Sequence, residues 1–208
     1  MAVSDATDTP VESNGSVSAD DAELDPRVER TRRAVLDAGI QLLFERGPDG
    51  VTPAAVANTA RISRTTLYKY WPTRAELLYD VLEEVEPRPE IELRGDVRVD
   101  LLAMLTTYCT GMNDPEARKV FSSVLARAQW DADTREVQLK MEEYALDHLT
   151  RVFSAAASNG QLPDGLDVRA EAAHLMGPMV FRVLVTRDEI RPTDVERIVD
   201  DWLATVRR

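Results

Sequence analysis

Residues 51–71, VTPAAVANTARISRTTLYKYW, carry side chains whose chemistry suits DNA. Ser63 is followed directly by Arg64, Thr65 and Thr66. A guanidinium can donate two hydrogen bonds to a guanine edge, and a threonine can donate to a base or contact a thymine methyl group. Hydroxyl and ammonium groups follow, and these suit phosphate oxygens. Thr52 and Arg74 lie at other predicted helix N-termini, where free backbone N–H groups also suit phosphate. The candidate DNA-contacting residues are Thr52, Arg64, Thr65, Thr66, Tyr68, Lys69, Tyr70 and Arg74.

Two short helices joined by a tight turn would present these side chains. The cap-plus-proline pair Thr52-Pro53 predicts the first helix, which ends at the turn of residues 60–62. Ser63 predicts the start of the second, which runs to about Trp71. Such a pair buries little surface alone, so a preceding helix that ends near Gly47 must support it through its apolar positions Leu36, Ile40 and Leu43. This is the logic of a helix-turn-helix.

The segment from about Arg33 to Leu82 resembles the DNA-binding domain of the TetR family. The residues that carry the resemblance are Thr52, Val56-Ala57, Ala60, Ile62-Ser63, Thr66-Leu67-Tyr68, Tyr70-Trp71, Arg74 and Leu77. Arg61 stands at a turn position where the family usually has glycine, and Trp71 replaces its usual phenylalanine. The resemblance implies a sequence-specific DNA-binding transcriptional regulator, a repressor released from a palindromic operator by a small-molecule effector.

The charge distribution agrees with a DNA-binding segment on an acidic chain. The net charge of −12 by itself argues against a nucleic-acid partner. However, residues 1–25 hold seven acidic and no basic side chains, whereas residues 26–80 hold nine Lys/Arg against six Asp/Glu. We therefore expect a disordered acidic tail over residues 1–24, a helix-turn-helix domain over 25–85, and a C-terminal effector-binding and dimerisation domain over 86–208.

Helical periodicity continues to the end of the chain, and no alternating strand pattern is present. The predicted fold is all-α: an N-terminal three-helix DNA-binding domain plus a larger C-terminal helical domain, about nine helices in total. The last two helices are apolar over more surface than one protomer should cover, so they predict a four-helix bundle between two copies. The predicted dimer interface is Met179, Val180, Val183, Leu184, Val195, Ile198, Val199, Trp202 and Leu203.

Two features of the first of these helices carry predictions of their own. Gly177-Pro178 should kink it, because proline removes a backbone hydrogen bond. Arg182 lies within an apolar face and has two interpretations. Its guanidinium either extends to solvent or pairs across the dimer with Glu196, Asp200 or Asp201.

An effector pocket would lie among the helices of residues 97–185. Thioethers and amphipathic rings there suit an apolar molecule with one or two polar groups, although each also suits an ordinary core. The candidate ligand-binding residues are Met104, Tyr108, Met112, Phe121, Trp130, Met141, Tyr144 and Met176. Cys109 is a candidate redox sensor without basic sequence neighbours. His148 and His174 have no metal-site spacing, so we expect neither a metal nor a cofactor.

Two other functions stay open at this point. One is a helical enzyme that uses Asp131, Asp133 and Glu136, although the chain has no phosphate-binding glycine loop, nucleophile elbow or HExxH motif. The other is an interaction protein whose helix-turn-helix does not bind DNA. The sequence shows neither a secretory leader nor a membrane-length apolar run. We expect a cytoplasmic homodimer whose partners are double-stranded operator DNA and an effector.

Overall fold

The computed structural model describes residues 26–85 and 92–206, so the predicted disordered tail lies outside the described residues. Within those two ranges the chain forms nine α-helices and no strand, which confirms the all-α prediction. In chain order they are α1 (Pro26–Arg46), α2 (Pro53–Thr59), α3 (Arg64–Tyr70), α4 (Arg74–Val85), α5 (Val97–Asn113), α6 (Pro115–Arg127), α7 (Ala132–Ser158), α8 (Val168–Phe181) and α9 (Pro192–Val206).

Helices α2 and α3 begin where capping chemistry predicts. The Thr52 side chain accepts a hydrogen bond from the Ala55 amide at the start of α2. The Ser63 side chain accepts one from the Thr66 amide at the start of α3. Each cap satisfies a backbone donor that the first turn of a helix leaves without a partner. Local sequence therefore defines both short helices.

Residues 26–85, called the head here, share one apolar core. The apolar faces of α1 and α4 pack together, and α2 and α3 each add a few side chains. Trp71 is 2% exposed in this core, and its indole Nε1 donates to Asp80 Oδ2 at 2.9 Å. The tryptophan therefore fills the core in place of a smaller aromatic ring, and its polar edge is satisfied.

Residues 92–206, called the body, enclose a second core. Helix α9 runs antiparallel to α5, since Asn113 bonds to the backbone of Ile190 near one end and Arg98 pairs with Asp200 near the other. The buried side chains between α5, α7, α8 and α9 include Leu101, Met104, Leu149, Val152, Leu175 and Phe153, which stacks on Trp202 with ring centroids 5.2 Å apart.

The two cores meet at α6 and α7. Val120 and Val124 of α6 and Val137 of α7 are buried in the head core, and Met141 of α7 packs against it. The head is therefore not an independent unit on a free linker, because two body helices complete its apolar core.

The apolar stripe of α9 is covered within one protomer. The stripe packs against α5 and α8, so most of the predicted dimer interface is unavailable to a second copy. That prediction is wrong for six residues with at most 5% exposure, namely Met179, Val183, Val195, Val199, Trp202 and Leu203. Periodicity identified a stripe that must be buried, but the neighbour that buries it belongs to the same chain.

Helix α8 passes Pro178 and widens at its end. The α-helix continues to Phe181, and residues 182–186 then form a π-helical turn, so the irregularity follows the proline by one turn. Arg182 sits in this turn, and its Nη1 lies 3.1 Å from Asp194 Oδ2 of the same chain. Within the protomer the guanidinium therefore has a carboxylate partner, Asp194, that neither predicted interpretation included.

Candidate nucleic-acid interface

Helix α3 is fastened to the head by one side and exposed on the other. Leu67 has 0% exposure and is the buried residue of the helix. Arg64, Thr65, Tyr68 and Lys69 are exposed, and Tyr68 reaches 49%. The sequence thus placed these four side chains correctly on an outer surface, where the N-terminal end of a recognition helix can enter a groove.

Three other predicted contact residues also hold the structure together. Thr66 is half-buried, and its Oγ1 lies 2.8 Å from Ser63 Oγ. Tyr70 packs edge-on against Trp71 with ring centroids 6.0 Å apart. Thr52 caps α2 from a half-buried position.

The turn between α2 and α3 has the geometry that a glycine would favour. Arg61 has φ of 56°, in the left-handed region. The next amide, Ile62 N, donates to Ala57 O at 3.0 Å. The arginine therefore adopts the tight turn in spite of its Cβ, and its exposed side chain adds a cation beside α3.

Arg74 does not lie on this surface, and its predicted phosphate contact is not supported. Its side chain is only 14% exposed and points to the junction of head and body. The guanidinium donates to the carbonyl oxygens of Pro48 and Val51 and pairs with Asp131 and Asp133. The sequence shows a cation near a helix start, but the distant acceptors that draw it inward appear only in the folded chain.

The acidic residues considered for an enzyme have structural partners. Asp131 caps α7 through the Thr134 amide and pairs with Arg74. Burial would raise the pKa of the Asp131 carboxyl, but hydrogen bonds from Thr134 and Arg74 hold that pKa well below its usual range. Glu136 pairs with Lys140 at 3.0 Å. A carboxyl whose pKa is held low, as that of Asp131 is, is poorly suited to proton transfer near neutral pH.

The effector candidates divide into two groups. Trp130 is 78% exposed in the turn between α6 and α7, and Met141 packs on the head core, so neither lines the inside of the body. Periodicity places Met141 on an apolar helix face but cannot tell that this face meets the head core and not the body core. Tyr144 of α7 lies edge-on to His148, with ring centroids 4.4 Å apart. The candidates that lie in or against the body core are Met104, Tyr108, Met112, Phe121 and Met176.

The cysteine and histidines have ordinary protein partners. Cys109 is buried beside the Met179 sulfur, and burial raises the pKa of its thiol to about 12. Because the thiolate is the reactive form, this environment argues against a redox sensor. His148 Nδ1 lies 3.1 Å from the Tyr108 hydroxyl, and His174 Nδ1 lies 3.1 Å from Glu171. Among the described residues no cluster of His, Cys, Asp or Glu is arranged to bind a metal.

None of the described helices combines the length and apolar character that crossing a lipid bilayer requires.

Two family models match the chain in consecutive segments. The model for bacterial regulatory proteins of the tetR family matches residues 35–81, which include α2, α3 and most of α4. The model for the tetracyclin repressor-like C-terminal domain matches residues 91–202, which is more than half of the chain. The first segment falls in the head and the second spans almost all of the body.

Individual relatives show the same pattern. The HTH-type transcriptional regulator YdeS of Bacillus subtilis is 27% identical over 186 residues, which cover 84% of this chain and 88% of YdeS. The regulator TtgR of Pseudomonas putida is 23% identical over 197 residues, covering 86% and 92%. The crystal structure of the TetR family regulator SCO0332 matches with a TM-score of 0.64 at 27% identity, covering 85% of this chain and 98% of that one. On these grounds the chain belongs to the TetR family and is a helix-turn-helix, DNA-binding transcriptional regulator.

Proposed function

We propose that two copies of the chain act together as a repressor on a palindromic operator, and that a small apolar molecule bound in the body releases them. The observation that carries the proposal is the exposed face of α3. One apolar side chain, Leu67, anchors a helix whose Arg64, Thr65 and Lys69 extend outward. This arrangement suits base contacts at the helix start and phosphate contacts at its end.

A second copy is needed because one seven-residue recognition helix reads only a short stretch of DNA. The exposed face of α8 is where we expect the second copy to bind. Phe181 at the end of α8 is 57% exposed, and Val185 in the π-helical turn that follows is 63% exposed. A Cβ added to Gly177 would meet no atom within 4 Å, so a partner helix can approach closely there. We therefore assign the dimer contact to this face of α8 instead of the buried stripe of α9, and we include the half-buried Val180, Leu184 and Ile198.

The interior of the body supports the class of effector. Its core contains the flexible thioethers of Met104 and Met112 and, at its edge, the phenol of Tyr108 bonded to His148. Flexible apolar side chains beside one polar pair favour a mainly apolar ligand with one or two hydrogen-bonding groups. Binding that favours one arrangement of the body would move the heads out of operator register. Such a regulator acts where the chromosome lies, and we place it in the cytoplasm.

The test begins with selection of bound fragments from random DNA by the purified full-length protein. We expect a palindromic consensus and an affinity that falls steeply with salt, because phosphate binding releases counterions. Lys69→Ala should lower the salt slope by about 2 per dimer, one phosphate contact for each head. Lys119→Ala removes an exposed lysine from α6 and should leave the slope unchanged.

Two results would contradict the proposal. The first is an affinity for the selected DNA that stays constant between about 50 and 200 mM salt. The second concerns the sign of regulation: when the selected palindrome overlaps a promoter, purified protein should reduce transcription in vitro, and an increase would indicate an activator.

A further inference from the structure

We infer that Arg74 is a positioning residue that fixes the orientation of each head on its body, and thereby sets the half-site spacing that the dimer accepts. The inference rests on the proposed function, because spacing has a meaning only for a protein with two DNA-reading heads. Arg74 itself contacts no DNA in this arrangement.

On one side, the Arg74 guanidinium bonds to two backbone carbonyl groups of the head. Arg74 Nη2 donates to Pro48 O at 2.8 Å, and Arg74 Nε donates to Val51 O at 2.9 Å. These two carbonyl groups belong to the loop that leads into α2, while Arg74 is the first residue of α4 and follows α3 closely. One side chain therefore ties together the segments that precede α2 and follow α3.

On its other side the guanidinium joins the head to the body. Arg74 Nη1 donates to Asp131 at 2.8 Å and to Asp133 at 3.3 Å. Asp131 is the N-cap of α7 and also accepts from the Thr134 amide and hydroxyl. Arg74 therefore binds the body at the first residues of α7, so its bonds depend on the direction of that helix.

A second ion pair bridges the same junction. Arg127 Nε, at the end of α6, lies 2.7 Å from Asp49 Oδ1, in the short helical turn of residues 48–50. The loop before α2 is therefore held to the body by the charge of Arg127 as well as by the hydrogen bonds of Arg74. Both ion pairs join the head to the region between the end of α6 and the start of α7.

Apolar contacts at this junction hold the parts together but do not orient them. Val120, Val124 and Val137 are buried in the head core, and burial of apolar area carries little directional preference. Hydrogen bonds weaken steeply when their geometry is distorted, and a guanidinium offers its donors in a rigid plane. The rotation of the head about the junction therefore depends on the bonds of Arg74 more than on the valine contacts.

Head rotation matters because DNA is helical. Adding one base pair between half-sites moves them apart by about 3.4 Å and rotates them by about 35° around the axis. A dimer with rigidly oriented heads fits one spacing, while a dimer with loosely held heads tolerates several.

The Arg74 side chain is not available for a contact with DNA phosphate. Four of its five N–H donors are already bonded within the protein, so such a contact would leave internal acceptors without a partner.

The experiment measures affinity for the selected palindrome with its central spacer changed by −2, −1, 0, +1 and +2 base pairs, and for DNA with one half-site. Wild-type protein should prefer one spacing by at least about tenfold, and Arg74→Gln should reduce the preference to about threefold or less, a change on the scale of measured couplings. Affinity for the single half-site and its salt slope should stay within about twofold of wild type, because α3 is unaltered.

Asp131→Asn guards against misfolding of the arginine variant. Asp131 Oδ1 both caps α7 and accepts from Arg74, so asparagine keeps these two bonds but removes the charge that strengthens the bond to Arg74. It should broaden the spacing preference in the same direction as Arg74→Gln, by a smaller amount. Asp114→Asn is the matched control: Asp114 caps α6 in the same way and pairs with no arginine in the part of the chain that the structure describes, so this variant should keep the wild-type preference. Circular dichroism confirms that each variant is folded.

The outcomes separate the two proposals. If wild-type protein selects no palindrome, the proposed function fails. If it does, but folded Arg74→Gln and Asp131→Asn keep the wild-type spacing preference, only the positioning role is overturned. A uniform loss of affinity on every DNA, with a smaller salt slope for Arg74→Gln alone, would also overturn it, because that is the behaviour of a phosphate contact.

Discussion

Arg61 adopts a backbone conformation that its residue type does not favour. Its φ of 56° brings Cβ close to a backbone oxygen, and for residues other than glycine the left-handed region costs about 1 to 2 kcal/mol. The turn persists because caps at Ser63 and Thr52 and the core around Leu67 define the helices on either side. These caps and core contacts therefore offset the conformational cost at Arg61.

Arg61→Gly should stabilise the protein. Removing Cβ relieves the left-handed conformation, while the added freedom of the unfolded chain opposes this by about 0.4 to 1 kcal/mol. We expect a net gain of about 0.5 to 1 kcal/mol in the free energy of unfolding. Urea unfolding monitored by tryptophan fluorescence measures it.

Gly160→Ala provides the reverse control for this prediction. Gly160 has φ of 69° and open space around a built Cβ, so alanine there adds conformational strain without a clash. It should destabilise by about 1 kcal/mol. If Arg61→Gly lowers the unfolding free energy as much as Gly160→Ala does, the argument about the turn is wrong.

At the scale of an element, the start of α9 depends on one buried carboxylate. Asp194 is 3% exposed and accepts from the Arg191 amide at 3.1 Å. The guanidinium groups of Arg182, Arg191 and Arg197 lie 3.1, 3.1 and 3.4 Å from it. Hydrogen bonds from the Arg191 side chain and amide lower the pKa of Asp194, and the charges of Arg182 and Arg191 add to the effect. This network joins the end of α8 to the beginning of α9.

Asp194→Asn should destabilise the protein in a pH-dependent way. Because the folded-state pKa of Asp194 is lowered, its ion pairs stabilise the fold above the unfolded pKa of about 3.9, and this contribution is lost as pH falls through the folded value. The variant should therefore unfold at clearly lower urea concentration than wild type at pH 7, and the difference should shrink below about pH 4. A difference that stays the same at pH 3 and pH 7 would show that the charge is not responsible.

Two exposed surfaces of the described protomer bear on its assembly on DNA. The outer side of α3 faces away from the head, and Phe181 at the end of α8 and Val185 in the turn after it are exposed. If α8 pairs with its symmetry mate, both recognition helices are joined through the body. Head, junction and dimer contact then form one continuous path from effector to DNA.

Phe181→Glu should convert the dimer into a monomer. The substitution removes two phenyl rings from a two-fold symmetric interface, one from each protomer. Because burial of one such side chain contributes about 1.5 to 3 kcal/mol, the dimer dissociation constant should rise about 100-fold or more. Analytical ultracentrifugation should show the 23.2 kDa chain in place of a species of twice that mass.

Trp130→Ala is the control for this change. Trp130 is also a large exposed apolar residue, but it lies in the turn between α6 and α7, so its removal should leave the association state unchanged. A Phe181→Glu protein that remains dimeric, or dissociation caused equally by both variants, would refute the assignment of the contact to α8.

Local sequence signals were sufficient to predict the helical fold, the starts of α2 and α3, the turn of residues 60–62 and the outward side chains Arg64, Thr65, Tyr68 and Lys69. Caps, prolines and periodicity are local signals, and the helices they specify depend on residues a few positions apart. The resemblance of this segment to a known family rests on the same local spacing.

Which surfaces and charged groups remain exposed depends instead on how distant segments of the chain pack together. Periodicity marks the apolar stripe of α9 but cannot tell whether α5 or a second copy covers it. Likewise Arg74 turns inward because Asp131, 57 positions further along the chain, is brought beside it. Contacts between distant segments exist only once the helices have packed, so partners of this kind cannot be inferred from spacing.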